Sequence, residues 1–505
     1  QTLEMNYGKN DLLKSIGLFD GTKMVYTYDE DGNLIKTEHV SEDGTQSEGG
    51  SYIYDENGWM TGIVDGMNNT YQITYKENKA VRFTKPDGEY QQITYGDGTT
   101  TVSLHKSDGT KISEDSMTYE KNSGKLLSST NENGIKTTYQ YENTENPLLQ
   151  TGTETTVCYQ ILENNKVNFK NDVKVTTTTT YDSNENVVEE VDETGQVTST
   201  TYGTGKESSL AQTEVIKNSE GETTSDTTYD YDDHGNTILE YEDIGDTKTE
   251  YTYDEDGEVK EEKSYENVKS EGDAGVLTSE QTTQKEEADH KVSETLTSTQ
   301  GEVTQEDITS YDVMGREVSS TDRNTGEVTR ITYDFMGRAV ETERSLKNQE
   351  GKDTVQTETK SYNANGAVTS ETSSAGVTTE YRYDSRNRVT TTKEEADNTT
   401  KTTETSYGYE TAVIHTLTGT KTYKDLQVQT TKVNGTVTDK TWTDHAGNAV
   451  RTLSSGIYTD HVFTEDGKEI AAITLGSSTD GEGKISLTLY NKEGKTTHTI
   501  SQPVV

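Results

Sequence analysis

The chain has 505 residues, only 27% of them hydrophobic, and a formal net charge of −45. That balance excludes a string of ordinary globules with dry cores, and it makes nucleic acid and anionic lipid poor partners, because so negative a surface repels phosphate. The large apolar side chains are mostly rings that carry a hydroxyl, 31 Tyr against 5 Phe and 2 Trp, which suits half-wet sheet faces.

Low hydrophobicity with high charge usually means disorder. Two features oppose it here: Pro numbers only 3, and the abundant Thr and Tyr favour strands. The single cysteine, Cys158, has no internal partner, so the fold must hold without a disulfide. Apolar runs such as IAAITL at 470–475 are far shorter than the ~18 residues of a membrane-spanning helix, so no membrane insertion is expected. The first residues, QTLEMNYGKND, include no initiator Met and do not resemble a signal peptide, and the expectation is a piece cut from a larger protein.

Along the chain the organising signal is a repeat. Tyrosines stand at Tyr7, Tyr28, Tyr54, Tyr75, Tyr95, Tyr119 and Tyr141, in steps of 21, 26, 21, 20, 24 and 22. Tyr159 to Tyr181 and Tyr181 to Tyr202 continue the beat at 22 and 21. The tyrosine often has Asp after it and Gly four residues on: Tyr28-Asp29 with Gly32, Tyr54-Asp55 with Gly58, Tyr231-Asp232 with Gly235, and Tyr253-Asp254 with Gly257. Residues 266–310 read as degenerate copies. Two full copies follow, Tyr311-Asp312 with Gly315-Arg316 and Tyr333-Asp334 with Gly337-Arg338, then YNANG at Tyr362 and Tyr383-Asp384. Residues 395–440 are degenerate again, and 441–505 hold diverged C-terminal repeats around Trp442, Phe463 and Tyr490. The whole of 1–505 is thus read as one array.

One period is two strands and two turns. Asp312 sits where its carboxylate can accept backbone N–H groups one or two residues on, and Gly315 supplies positive φ without steric cost. REVSST then alternates as a strand, DRNTG at 322–326 turns, and EVTRITY runs back to the next Tyr-Asp. Strands of roughly 7 residues are expected, with successive hairpins pairing edge to edge. The predicted fold is all-β: an antiparallel β-sheet spiral made of hairpins of about 20–26 residues, with tyrosines stacked along the strand ends and each repeat touching chiefly the next.

These residues, Tyr-Asp-x-x-Gly-Arg at Tyr311 and Tyr333 with Gly326 midway, resemble the RHS or YD-repeat family over nearly the whole chain. The resemblance implies a secreted or cell-surface protein, bacterial for the most part, whose repeats wind into a hollow shell or part of one. In toxin members of that family the shell encloses a C-terminal toxic domain, so the implied partner is the remainder of the parent polypeptide. No Asp-Pro-x-Gly signature follows Trp442, so self-cleavage and toxin activity do not carry over. The Arg of the motif is also often missing, as at Asn33 and Glu258.

Residues that suggest chemistry have plainer readings beside them. The DEDG and DENG loops offer carboxylates to calcium, but Asp254-Glu255-Asp256-Gly257 runs straight into a strand, so turn formation is the stronger reading and no cofactor is expected. The histidines, at 39, 105, 234, 290, 415, 445, 461 and 498, lack zinc spacing. Cys158 reads as a small buried hydrophobe, GTGKESS at 203–209 lacks the glycine gap of a phosphate loop, and carboxylate pairs among 91 acidic residues diagnose no glycosidase. No catalytic constellation stands out. The leading expectation is a non-enzymatic wall module that encloses or displays another part of its parent; the alternative is a surface adhesin that binds glycan or a cell-surface protein through Tyr-rich strand faces.

Overall fold

In the computed structural model the described residues are 3–131, 133–163, 166–288, 291–301, 303–347, 353–396, 399–477, 479, 483–491 and 495–503. They form forty strands and two short 3-10 turns, Lys9–Asp11 and Gly205–Glu207. The chain divides into two compact units, each made of two separated stretches: residues 1–88 with 230–402, and residues 89–229 with 403–505.

In the first unit consecutive strands pair antiparallel. Lys23–Tyr28 lies against Leu34–Val40, Glu317–Asp322 against Glu327–Tyr333, and Glu327–Tyr333 against Ala339–Lys347. Strands that lead into Tyr-Asp turns slip register at their last residue, as between Thr332 and Tyr333 or Thr27 and Tyr28, so the tyrosine sits in a bulge at the strand end. The unit's two stretches also meet side by side through their turns. Asp20 meets Arg316, Asp65 meets Asn365 and Asp87 meets Arg386, at separations of 296, 300 and 299 residues.

The second unit repeats the hairpin order and also holds an apolar cluster. Ile414, Leu426, Val428, Trp442 and Val450 are buried together, with Ala412, Tyr423, Leu453, Tyr458 and Phe463 packed against them. In the strand Glu469–Gly476 the side chains of Ile470, Ala471, Ile473 and Leu475 are buried. This corrects the expectation that composition leaves no dry core: the sparse aliphatics are concentrated locally. Its two stretches meet as well, since Lys106 pairs with Asp425, Tyr409 with Glu89, and the N–H of Tyr490 donates to Gln160 Oε1 at 3.2 Å.

Where the motif degenerates, the strands lengthen. Residues 266–310 contain Val276–Ala288 and Lys291–Gln300, of 13 and 10 residues, and 395–440 contain Thr399–Thr416 and Gly419–Val433, of 18 and 15. A third long hairpin, Gly152–Glu163 with Lys166–Tyr181, went unread in the sequence. Tyr159 keeps the 22-residue step to Tyr181 yet sits inside a strand opposite Lys170, with no turn after it. Without the Asp and Gly that enforce a corner, Thr-rich chain simply continues extended. The side chain of Cys158 and all of His290 lie outside the described residues.

Candidate functional site: the repeat corners

The recurring turn is one hydrogen-bonded device. In the copy at Asp312, the Asp312 N–H donates to the carbonyl of Arg316 at 2.9 Å and the Gly315 N–H donates to the carbonyl of Asp312 at 3.0 Å. The carboxylate accepts two more: Oδ1 takes the N–H of Met314 at 2.9 Å and of Arg316 at 3.0 Å. Asp29, Asp55, Asp232, Asp254, Asp334 and Asp384 do the same, each taking the N–H groups two and four residues on. The expected acceptance one or two residues on is thus half right. The carboxylate spans the whole corner and closes it at both ends.

Glycine completes the geometry. Gly32, Gly58, Gly235, Gly257, Gly315 and Gly337 have φ of 89°, 78°, 88°, 83°, 75° and 78°, the left-handed region that costs an L side chain about 1–2 kcal/mol. In the copy at Tyr383 the place is taken by Asn387 at φ 59°, the residue type that tolerates this region best after glycine.

The position after glycine supplies the second donor. Arg316, Arg338 and Arg388 donate Nε to the other carboxylate oxygen of Asp312, Asp334 and Asp384 at 2.7, 2.8 and 2.8 Å. At three corners without arginine, asparagine serves: Asn33, Asn186 and Asn236 donate Nδ2 to Asp29, Asp182 and Asp232 at 2.9 Å. The loss of arginine at Asn33 is therefore a substitution of one donor for another. This role was legible in the sequence as a run of Arg or Asn at one motif position.

Tyrosine joins one copy to the one before it. Tyr54 donates its hydroxyl to the carbonyl of Leu34 at 3.0 Å, Tyr253 to Thr237 at 2.5 Å, Tyr333 to Glu317 at 2.7 Å and Tyr362 to Ala339 at 2.6 Å. Tyr28 and Tyr383 reach Leu13 and Val368 in the same way. Each acceptor is the first residue after the preceding corner, so the hydroxyl satisfies a carbonyl that the bulge leaves unpaired. Each such bond contributes about 1 kcal/mol. The expected tyrosine stacks are replaced by this stitch and by arginine: the Arg316 guanidinium lies 5.0 Å from the Tyr333 ring centre and Arg338 lies 4.8 Å from Tyr362. Tyr311 follows the degenerate stretch, and burial, with the Glu294 carboxylate beside it, pushes its phenol up.

Protonation follows from these contacts. The side chain and then the N–H of Asn33 hold Asp29 below the usual carboxylate range. At Asp312 and Asp384 burial pulls upward, but the N–H and guanidinium of Arg316 and Arg388 outweigh it and the net shift is down. Burial pushes the phenols of Tyr54, Tyr231, Tyr253, Tyr333 and Tyr383 up.

The described residues hold no group of three or more His, Cys, Asp or Glu placed for a metal ion, and no helix long and apolar enough to cross a membrane. The histidines that looked unremarkable include one in a buried network. Asp460, fully buried, accepts Arg451 Nε at 2.5 Å and Arg451 Nη2 at 2.8 Å, and also bonds the backbone N–H and Nδ1 of His415 at 2.7 and 2.8 Å.

Comparison with known proteins agrees with this geometry. The family model described as RHS Repeat matches residues 362–400, the stretch holding the corners at Asn363 and Asp384. No match was found among curated proteins. The crystal structure of TcdB2–TccC3 without its hypervariable C-terminal region superposes with a TM-score of 0.56 at 14% identity, over 98% of this chain and 27% of that one. A second crystal structure, TcdB2–TccC3–TEV, gives 0.48 at 13% identity over 99% and 26%. The chain thus spans about a quarter of the length of these two chains. Residues 362–400 thus match the RHS repeat, Tyr-Asp corners recur in both stretches of the first unit, and the chain is similar in fold to the TcdB2–TccC3 structure.

Proposed function

We propose that this chain is a wall: a non-catalytic structural module of a secreted or cell-surface bacterial protein that encloses or displays another part of its parent, such as a toxin domain. The observation that carries this reading is where the side chains of the motif are used. At Asp312, Asp334 and Asp384 the aspartate, the left-handed residue and the arginine close the corner, and the hydroxyls of Tyr333, Tyr362 and Tyr383 join one copy to the one before. The likeness in fold to TcdB2–TccC3, a complex crystallised without its hypervariable C-terminal region, supports the same reading. No cofactor is part of it; in the DEDG loop the Asp254 Oδ1 is already used on the N–H groups of Asp256 and Glu258.

The test is protease protection. The parent protein is expressed with its neighbouring segments, digested with and without prior unfolding, and mapped by mass spectrometry. A neighbouring segment that survives while the wall is folded and is cut once the wall is unfolded supports enclosure; equal cutting in both states contradicts it.

One observation favours the adhesin alternative. Trp59, 37% exposed, lies 5.2 Å from the ring of Tyr75, an aromatic platform of the kind that stacks on a sugar ring. Saturable binding on a glycan array, lost in Trp59→Ala, would favour it over the wall.

A further inference from the structure

The chain has ten arginines, and eight of them fall between residues 316 and 388. In the first unit this stretch lies beside the acidic turns of residues 20–87. Arg316 Nη2 reaches Asp20 Oδ2 at 3.3 Å, and Arg386 Nη1 reaches Asp87 Oδ2 at 3.0 Å. Between these two ion pairs Asn365 donates Nδ2 to Asp65 Oδ2 at 2.8 Å. Backbones come close at the same place: a Cβ on Gly66 would stand 2.7 Å from the carbonyl oxygen of Ala364.

The first-stretch carboxylates are shared between two tasks. Asp20 gives Oδ1 to the N–H and hydroxyl of Thr22 and Oδ2 to Arg316. Asp65 gives Oδ1 to its own turn, while Oδ2 takes both Asn69 and Asn365. Within a corner Asn33 or Asn236 does what Arg316 does, so the corner alone gives no reason for arginine to collect in one stretch. The neighbouring stretch gives one for Arg316 and Arg386, while Arg323, Arg330 and Arg344 pair with Glu306, Glu343 and Glu327. Two acidic segments laid side by side repel, and a chain of charge −45 has few cations to spare.

We infer that Arg316, Asn365 and Arg386 form a row of donors that recognises the carboxylates of Asp20, Asp65 and Asp87 and so fixes the offset, close to 300 residues, at which the chain docks beside itself. The repeat makes this necessary. Corners recur about every 22 residues, so a slip by one copy would present near-identical backbone, and only side chains that differ between copies can reject it. Partly exposed ion pairs add little affinity, but opposite charges in register and like charges out of register discriminate strongly. This inference does not depend on what the wall encloses.

The test reads register directly, using the full chain with Cys158→Ser. His39 and Phe335 meet at 5.6 Å between ring centres, so His39→Cys with Phe335→Cys reports the native offset through a short bis-maleimide. His39→Cys with Val313→Cys or Ala364→Cys reports a slip of one copy either way. In Arg316→Asn with Arg386→Glu, a pair that keeps the corner donor, the native crosslink should fall by about tenfold, with the slipped crosslinks rising. Adding Asp87→Arg opposite Arg386→Glu should restore it. A native crosslink of unchanged yield in the charge variant, with its strand content retained, overturns the inference. So does failure of the Asp87→Arg rescue, including a rescue variant that does not fold.

Discussion

Residues 412–463 of the second unit and 311–388 of the first are both hairpin arrays, yet they are held by different forces. The former buries Ile414, Leu426, Val428, Trp442 and Val450 around the closed Arg451–Asp460 pair. The latter buries almost nothing fully and is joined by hydrogen bonds, with the hydroxyls of Tyr333, Tyr362 and Tyr383 and the carboxylates of Asp312, Asp334 and Asp384 at its Tyr-Asp corners. A polar chain can therefore build a continuous sheet without a core wherever each carbonyl freed by a corner finds a donor. In the diverged repeats of residues 412–463 hydrophobic packing takes over, whereas in the degenerate stretch 266–310 Val276, Leu277 and Val303 stay exposed.

The comparison breaks most sharply at Asp460. Asp460→Ala leaves the Arg451 guanidinium buried and unpaired and should destabilise the second unit by about 3–5 kcal/mol, seen as a lowered thermal transition. Replacing both partners, as Arg451→Met with Asp460→Leu, should recover most of that loss, because apolar side chains of similar size suit the cluster.

Next comes backbone strain. Gly315→Ala forces an L side chain into φ 75° and should cost about 1–2 kcal/mol in the first unit. Gly408→Ala, in a strand with open space around the position and no positive φ, should be neutral or slightly stabilising. Hydrogen exchange at each site separates the two outcomes.

A smaller effect is expected with pH. Asp29, Asp232 and Asp312 are lowered in the folded chain and Asp43 falls to about 2, so their hydrogen bonds contribute stability that is complete above about pH 4 and is lost as pH drops toward 2. Corner amides should lose protection over that window before the amides of the Trp442 cluster do. At the other extreme Tyr251 and Tyr381 are pushed up to about 12, Tyr251 by burial and the Glu240 charge, Tyr381 by its bond to Glu371. That stability holds below about pH 10 and disappears as pH rises through 12, and phenolate absorbance reports it.

The corners, their spacing and the all-β fold were legible because they are local. Asp and Gly act within five residues, and the tyrosine beat needs only counting. The donor after glycine was equally local, and Asn33 was misjudged because asparagine looked like the loss of arginine and not another N–H donor. The contacts of Asp20, Asp65 and Asp87 with residues about 300 positions away were not legible, since no local pattern says which copies become neighbours. Nor was the Trp442 cluster, whose side chains are too few to stand out from the average composition. Tyr159 shows the converse failure, a correct interval with no corner behind it.

The claim that hydrogen bonds and not apolar burial hold the repeats is tested most directly by replacing Tyr253, Tyr333, Tyr362 and Tyr383 together with Phe. Each ring stays and only the hydroxyl bonded to the preceding copy is removed. Hydrogen exchange should show protection falling across residues 237–388, and the first unit's denaturation midpoint should drop by the equivalent of about 1 kcal/mol per bond. Unchanged protection with an equal or higher midpoint would show that the rings' burial holds the array and would contradict the account.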